Sequence, residues 1–332
     1  MKYYIVFLEG PANKGIFYRQ ILPLKKEYQK VIIFYPLFNL NRKFEFRINT
    51  SDMYSSSVFD KCIPIPLLST EGYPNFFSWL FCCIYLSAYL FYWRFKDNVT
   101  EFRGRGQFLG SILGLLPFRK ISKIDIRGIF HDEAKLSGRN IITIKFLKFL
   151  EFLCYKNIKQ LTAVTPSLIA YIRLYKSSNK IDLLEPFVDN QRDLNLSTPT
   201  SRHHKKNSAI FVGTVSSWNN IKNLERLLES NNNLTDVLFL GPEIDLKEIS
   251  KKFNKVIFSN YSVEPFEVRN TLSKYEYGLV LGSNSITSLT DRTMIPSKLH
   301  EYISAGLIPI VPNRCKASKR FLQDRKIIYK TF

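Results

Sequence analysis

The chain has 332 residues, 45% of them hydrophobic, and a formal net charge of +20 at pH 7. That apolar content excludes a disordered chain, and the length allows one large core or two ordinary ones. The charge points to an anionic partner: nucleic acid, an acidic membrane surface or a phosphorylated substrate.

Residues 3–8 are an apolar run that predicts a buried strand. The run is too short for a signal peptide and meets Glu9-Gly10-Pro11 at once. Cys62, Cys82, Cys83, Cys154 and Cys315 are scattered, with neither a C-x-x-C pair nor zinc spacing, so a reduced cytoplasmic setting is expected. The loop 9–15 (EGPANKG) and a helix over 16–27 follow, which is how a doubly wound domain opens. No G-x-G-x-x-G supports a dinucleotide site. A second strand is expected at 31–35, while 41–60 carries no pattern. Residues 76–93 (FFSWLFCCIYLSAYLFYW) are the strongest apolar run and lead into Arg94 and Lys96. Three readings stay open: a buried helix, a helix lying at a membrane interface, and a span of the bilayer. The α/β pattern on both sides speaks against the span, which would split one sheet across a bilayer.

A strand at 99–102 ends in Arg103-Gly104-Arg105-Gly106, and the next, 123–126, ends in Arg127-Gly128. His131, Asp132 and Glu133 are the dense titratable cluster of this half. One of them could take a proton from an attacking hydroxyl, or the acids could simply complement the start of the next helix. Residues 139–159 predict a basic amphipathic helix with Ile142, Phe146, Phe149, Leu150 and Leu153 as its apolar face. Lys145, Lys148, Lys156 and Lys159 make it either a solvated face or a surface for anionic lipid. A strand at 161–165 and a helix at 166–175 come next, and 181–188 leads out of the domain. The stretch 189–207 (DNQRDLNLSTPTSRHHKKN) is polar and aperiodic, and sets a boundary between domains at 1–188 and 208–332.

In the second half, a strand at 209–212 ends in Gly213-Thr214, where glycine allows close approach of a ligand to the backbone. A helix over 220–229 carries Lys222 a turn inside it. Strand-and-turn units at 236–240, 255–259 and 277–281 alternate with helices at 245–253 and 265–274. The small, polar loop 283–295, with Arg292, leads into PSKLHEYISAGLIPIV at 296–311. There Pro296 suits a first helical turn, Gly306 the residue past a helix end, and 307–311 a short buried strand. Leu299, Tyr302, Ile303 and Ala305 supply the apolar face. Lys298 and Glu301 share one face of that helix. Lys298 lies where first-turn N–H groups and the helix dipole already favour an anion, and Glu301 can accept two hydrogen bonds from neighbouring hydroxyls, as on a ribose. A plain surface ion pair is the alternative. One helix at 317–324 and one strand at 326–329 complete the chain.

PSKLHEYISAGLIPIV resembles the donor-site signature of retaining, family-4-like glycosyltransferases of the GT-B fold. DIRGIFHDE at 125–133, with Arg103-Gly104 before it, resembles segments of bacterial polysaccharide glycosyltransferases of this type, and Gly213-Thr214 resembles the loop that opens their donor domain. The resemblance implies an α/β protein of two Rossmann-like doubly wound domains facing across a cleft, with a shorter C-terminal end than relatives carry. It implies transfer of a hexose or related sugar from a nucleotide sugar to a glycan or polyprenyl-diphosphate-linked acceptor, in O-antigen, capsule or exopolysaccharide assembly. Neither a metal nor another cofactor is expected, and no nucleic acid. The expected location is the cytoplasm, at the anionic inner face of the membrane. By the same resemblance Glu301 binds the ribose, and Gly213, Thr214, Lys222, Arg292, Pro296, Ser297 and Lys298 surround the rest of the donor nucleotide. Arg103 and Arg127 would end neighbouring strands and face the cleft, with Arg127, His131 and Glu133 as catalytic candidates. Gly10, Asn13 and Gly15 would meet the acceptor. Many members carry an acid eight residues before Glu301, facing the donor sugar; here that residue is Thr293, and the nearest acid is Asp291. Two rival readings are a non-catalytic basic α/β protein that binds nucleic acid or membrane, and a GT-B sugar-nucleotide epimerase. The epimerase expects an acid-and-histidine cluster at the donor, where this half offers only His300 beyond His203-His204 of the linker.

Overall fold

The structure, a computed structural model, describes residues 2–7, 30–36, 61–65, 69–70, 73–175, 180–183, 205–213, 219–231, 233–240, 252–254, 256–259 and 268–332. The chain divides into two compact units, Met1–Leu184 and Glu185–Phe332. Of the expected linker only 205–207 is described, and these residues already belong to a strand of the second unit.

The first unit is built on one sheet from β1 (Lys2–Phe7), β2 (Lys30–Pro36), β3 (Lys61–Ile65), β6 (Glu101–Arg105), β7 (Ser122–Ile126), β8 (Gln160–Ala163) and β9 (Lys180–Leu183). Its order is β3-β2-β1-β6-β7-β8-β9 and every pair is parallel. A two-residue hairpin, β4 (Ser69–Thr70) with β5 (Tyr73–Pro74), stands apart. Helices α1 (Phe76–Asp97), α2 (Gln107–Leu115), α3 (Phe130–Leu136), α4 (Ile141–Asn157) and α5 (Pro166–Arg173) join the strands. Their starts follow the sequence chemistry. The side chains of Asn75, Asn140 and Thr165 accept the N–H of Ser78, Thr143 and Leu168 at 2.8, 2.8 and 3.0 Å.

Several expectations shift. β6 starts two residues later than read, so Arg103 lies inside the strand instead of beyond its end. Residues 180–183 add a seventh strand rather than leading away, and β3 is a strand for which the sequence reading made no assignment. Of the expected apolar face of 139–159, Leu150 and Leu153 are buried and Phe146 is half-buried, but Ile142 and Phe149 are exposed, and Leu147, Glu151, Cys154 and Tyr155 complete the buried side. The apolar helix α1 buries Ser78 and the stripe Trp79, Cys82, Leu86, Leu90 and Trp93, and exposes Phe77, Ile84 and Phe95. It is long and apolar enough to cross a bilayer by length and composition. Its buried stripe packs beside α2, where the Trp79 indole donates to Ser111 Oγ at 2.9 Å.

The second unit repeats the plan with β10 (Lys205–Val212), β11 (Asp236–Leu240), β12 (Val256–Ser259), β13 (Tyr275–Leu279), β14 (Ile308–Val311) and β15 (Lys330–Thr331). The order is β12-β11-β10-β13-β14-β15, again all parallel. Helices α6 (Lys222–Ser230), α7 (Val268–Leu272), α8 (Leu289–Thr293), α9 (Ser297–Ser304) and α10 (Lys316–Asp324) accompany it. The loop expected at 283–295 therefore contains a helical turn, α8. Pro296 caps α9 from outside rather than opening it, with ψ 137°, because its ring restricts φ but not ψ. Gly306 follows the helix with φ +80°, as its place in the sequence predicts.

In both sheets the strand order reverses once, between β1 and β6 and between β10 and β13. Open parallel sheets bind ligands at such reversals, outside the carboxyl ends of the strands. Tyr302, fully buried on α9, spans the second reversal: its hydroxyl accepts Val212 N at 3.2 Å from β10 and donates to Leu279 O at 3.1 Å on β13. Gly278 makes room for the ring, because an added Cβ would overlap the Tyr302 ring carbons. Gly278→Ala should therefore lower unfolding stability by about 1–3 kcal/mol in urea titration; an unchanged midpoint would show that α9 is not seated on β13 this way.

Candidate functional site

The carboxyl ends of β10 and β13 meet the start of α9. Gly213 follows β10 with φ +122°, a conformation that side-chain-bearing residues rarely adopt. A Cβ placed there would stand 3.3 Å from Lys298 Nζ, so the lysine amine abuts the strand end. Lys298 is 8% exposed and its Nζ lies 3.7 Å from the centroid of the Phe211 ring. That Nζ has no hydrogen-bond partner among the described residues. Burial pushes its pKa down to about 7, although the carboxylate of Glu301 favours the charged form. Glu301 itself is half-buried one turn on. Leu299 N–H already donates to Pro296 O at 3.0 Å, whereas the N–H groups of Ser297 and Lys298, the first two of α9, have no acceptor within the helix. An amine held near neutrality, orphan N–H groups and a half-buried carboxylate thus line one strand reversal.

The loop above this point is held rigidly by residues that carry no sequence motif. Asn223, buried on α6, donates its amide to the carbonyls of Leu281, Gly282 and Ser283 at 3.0, 3.1 and 2.9 Å. Asp291 accepts from Ser283 N at 3.1 Å, Ser283 Oγ at 2.8 Å and Arg314 Nε at 3.1 Å. The nearest acid to the family position is thereby committed to the loop and to Arg314. Thr293 is buried and donates its hydroxyl to Leu289 O at 2.8 Å. Arg292 is exposed and folds back, donating to Ile286 O at 3.2 Å. Lys222 is the exposed first residue of α6, not a residue one turn in. Ser297 is exposed at the start of α9. His300 packs on the Phe321 ring, centroid to centroid 4.8 Å, and burial lowers its pKa to about 4. Thr214, Gly10, Asn13 and Gly15 lie outside the described residues.

In the first unit, Arg103 does not face outward from a strand end. It is 6% exposed and its guanidinium reaches Asp125 Oδ1 at 3.4 Å, while Thr162 Oγ1 donates to the same carboxylate oxygen. The three side chains form a buried polar row across β6, β7 and β8. Arg127 is half-buried just past β7. Glu133 Oε1 lies against Gly128, where an added Cβ would overlap it. His131, the second residue of α3, makes a 2.8 Å contact from Nδ1 to Glu151 Oε2 and donates its backbone N–H to Glu151 Oε1 at 3.2 Å. Glu151 on α4 is fully buried. Its position within an apolar helix gave no sequence signal.

No family model matches the chain, and no curated protein matches it in sequence. Solved structures match it over nearly its whole length. Sucrose-phosphate synthase from Thermosynechococcus elongatus superposes with a TM-score of 0.63 at 13% identity, over 98% of this chain and 91% of that one. HepE of Anabaena in complex with UDP-glucose gives 0.63 at 8% identity, over 100% and 85%. UGT89C1 of Arabidopsis thaliana complexed with UDP-L-rhamnose gives 0.54 at 11% identity, over 99% and 85%. These are GT-B glycosyltransferases, and at such identities the likeness establishes the fold: α/β, with two Rossmann-like sheets.

The buried amine generates a prediction. Below pH 7 Lys298 is protonated both in the folded and in the unfolded chain, and the folded state carries the cost of a buried ammonium. Between pH 7 and the ordinary lysine range the unfolded chain binds the proton and the folded one does not, so stability climbs with pH. Lys298→Met should therefore stabilise the ligand-free protein by about 1–4 kcal/mol at pH 6 in urea titration, with the gap over wild type narrowing toward pH 10. An equal gap at every pH would contradict a buried, unpaired amine.

Proposed function

We propose that this chain is a glycosyltransferase that moves a hexose-type sugar from a nucleotide diphosphate sugar to an acceptor hydroxyl. The observation that carries the reading is Lys298, a buried amine lacking a hydrogen-bond partner among the described residues, at the strand reversal beside Gly213 and the first turn of α9. A diphosphate seated there would supply the missing counter-charge, and Lys298 would take up a proton as it binds. Together with the helix N–H groups, the resulting ammonium stabilises the negative charge that develops on the leaving diphosphate. Glu301 accepts the ribose hydroxyls. The solved neighbours bound to UDP-glucose and UDP-L-rhamnose support a uridine donor.

We further propose that the acceptor is presented at a membrane, as a polyprenyl-diphosphate-linked glycan on the cytoplasmic face would be. The outward faces of α1 and α4 support this. Phe77, Ile84 and Phe95 on α1 and Ile141, Ile142, Phe149 and Phe152 on α4 are exposed, with Lys145, Lys148 and Lys156 between and beyond them. The two helices adjoin through ring contacts of Trp79 with Phe146 and Phe149 at 6.1 and 6.4 Å. Exposed apolar side chains with lysines beside them suit the boundary of an anionic bilayer.

Two measurements test these readings. In a thermal-shift screen of UDP, GDP, ADP and CMP, UDP should raise the melting temperature, by mass action, and Glu301→Ala should bind it at least about tenfold more weakly. A Glu301→Ala protein that binds as tightly as wild type would sink the ribose assignment. Vesicles containing anionic phospholipid should retain the protein at low salt and release Phe77→Ser/Ile142→Ser; failure to sediment with them would remove the membrane proposal.

A further inference from the structure

Before any nucleotide arrives, Lys298 holds a buried nucleophile beside open space. Its amine has no hydrogen-bond partner among the described residues, and the residue is 8% exposed. In the same unit the amines of Lys205, Lys252 and Lys330 are taken up by Asp236, Glu229 and Tyr277. An ammonium at Lys298 would find the face of the Phe211 ring, 3.7 Å from Nζ to the centroid, and no hydrogen-bond acceptor. Burial therefore favours the neutral amine, whose electron pair is free. Glu301, on the same helix, is the charged group that opposes this, and β10 contributes Phe211 and Gly213, neither of which titrates.

The space lies on the side of Gly213. Apart from the adjoining backbone, a Cβ built there would meet Lys298 Nζ at 3.3 Å and Cε at 3.7 Å, and nothing else within 4 Å among the described residues. The gap suits a molecule of a few atoms. The N–H groups of Ser297 and Lys298, without an acceptor inside α9, favour one that becomes an anion at this helix end. A neutral amine, a gap beside it and N–H donors at the same helix end match the chemistry by which an amine holds carbon dioxide.

We propose that Lys298 Nζ captures carbon dioxide as a carbamate in the nucleotide-free protein, and that the carbamate and a nucleotide diphosphate exclude one another. The exclusion rests on the donor-site reading above; the capture does not. The amine electron pair attacks the carbon of CO2 and forms the N–C bond, while one C–O π pair moves onto oxygen. The nitrogen then gives a proton to solvent. The product is a carbamate anion, and nothing is oxidised or reduced. The carbamate accepts from the first-turn N–H groups. It puts negative charge where the diphosphate needs an ammonium, so dissolved CO2 lowers the affinity for the nucleotide.

Trapping and NMR test this. Wild-type protein is equilibrated with carbon-13 bicarbonate at pH 8 and treated with a trialkyloxonium salt, which turns carbamates into stable esters, and its digest is read by mass spectrometry. The ester should load the Lys298 peptide at least about tenfold more than those of the exposed Lys145 and Lys148. At constant dissolved CO2 the Lys298 ester should fall about tenfold from pH 8 to pH 6, as protonation removes the electron pair. In carbon-13 NMR, one carbamate signal of the wild type should be missing from Lys298→Met. UDP should displace the ester, and saturating CO2 should raise the apparent Kd of UDP at least about threefold at constant pH and ionic strength. No ester on Lys298, equal loading of Lys145 and Lys148, or an unchanged NMR spectrum in Lys298→Met would overturn the capture. Should Lys298→Met fail to fold, the wild-type peptide map decides. UDP that raises the melting temperature yet leaves the ester in place would overturn the exclusion. An ester on Lys298 in a protein that no nucleotide stabilises would uphold the capture and remove the donor reading.

Discussion

The second unit depends on a lysine amine that the fold hides and leaves without a hydrogen-bond partner among the described residues. Lys298 is walled by the Phe211 ring and the backbone of Gly213, at the start of a helix whose own N–H groups also want an acceptor. Taken alone this arrangement is unfavourable, since burial drives the amine toward its neutral form. The surrounding structure makes the position unavoidable: Tyr302 ties α9 to β10 and β13, and Asn223 and Asp291 tie down the loop that leads into it.

The first unit uses its sheet differently. Arg103, Asp125 and Thr162 pair across neighbouring strands, so charges that look like ligand contacts in the sequence are consumed in holding β6, β7 and β8 in line. One step outward, on the helix after β7, His131 is held by Glu151 through its backbone N–H and Nδ1. Buried acids serve opposite ends in the two units. Asp291 organises a loop, whereas Glu151 holds an imidazole and the backbone N–H of the same residue.

Local features were legible in the sequence. The turn from α9 through Gly306 into β14 follows from helix-end chemistry within one short stretch, and the Gly213 bend after β10 sits where the sequence places a glycine at a strand end. What the sequence hid depends on distant partners. The depth of Lys298 is set by Phe211, which lies on another strand. The outward reading of Arg103 failed because a shift of the strand start by two residues placed it inside β6, diagonal to Asp125 on β7. The inward face of α4 could not be chosen by periodicity, since apolar side chains occur around the whole helix. Glu151, a charged residue, ended up on the buried side together with Leu147 and Leu150. A buried carboxylate is the least predictable element from a sequence, because only its partner makes it tolerable. In the case of Thr293 and Asp291, the departure from the family pattern was visible, but not that Asp291 is spoken for by Ser283 and Arg314.

The central claim is that a nucleotide diphosphate completes the Lys298 site by charging it. Isothermal titration of UDP into the protein at pH 8, repeated in buffers of different ionisation enthalpy, measures the protons exchanged on binding. The account predicts net uptake approaching one proton in the wild type and none in Lys298→Met, whose weaker binding is followed at higher nucleotide concentration. Tight UDP binding without proton uptake, or the same uptake in Lys298→Met, would contradict it.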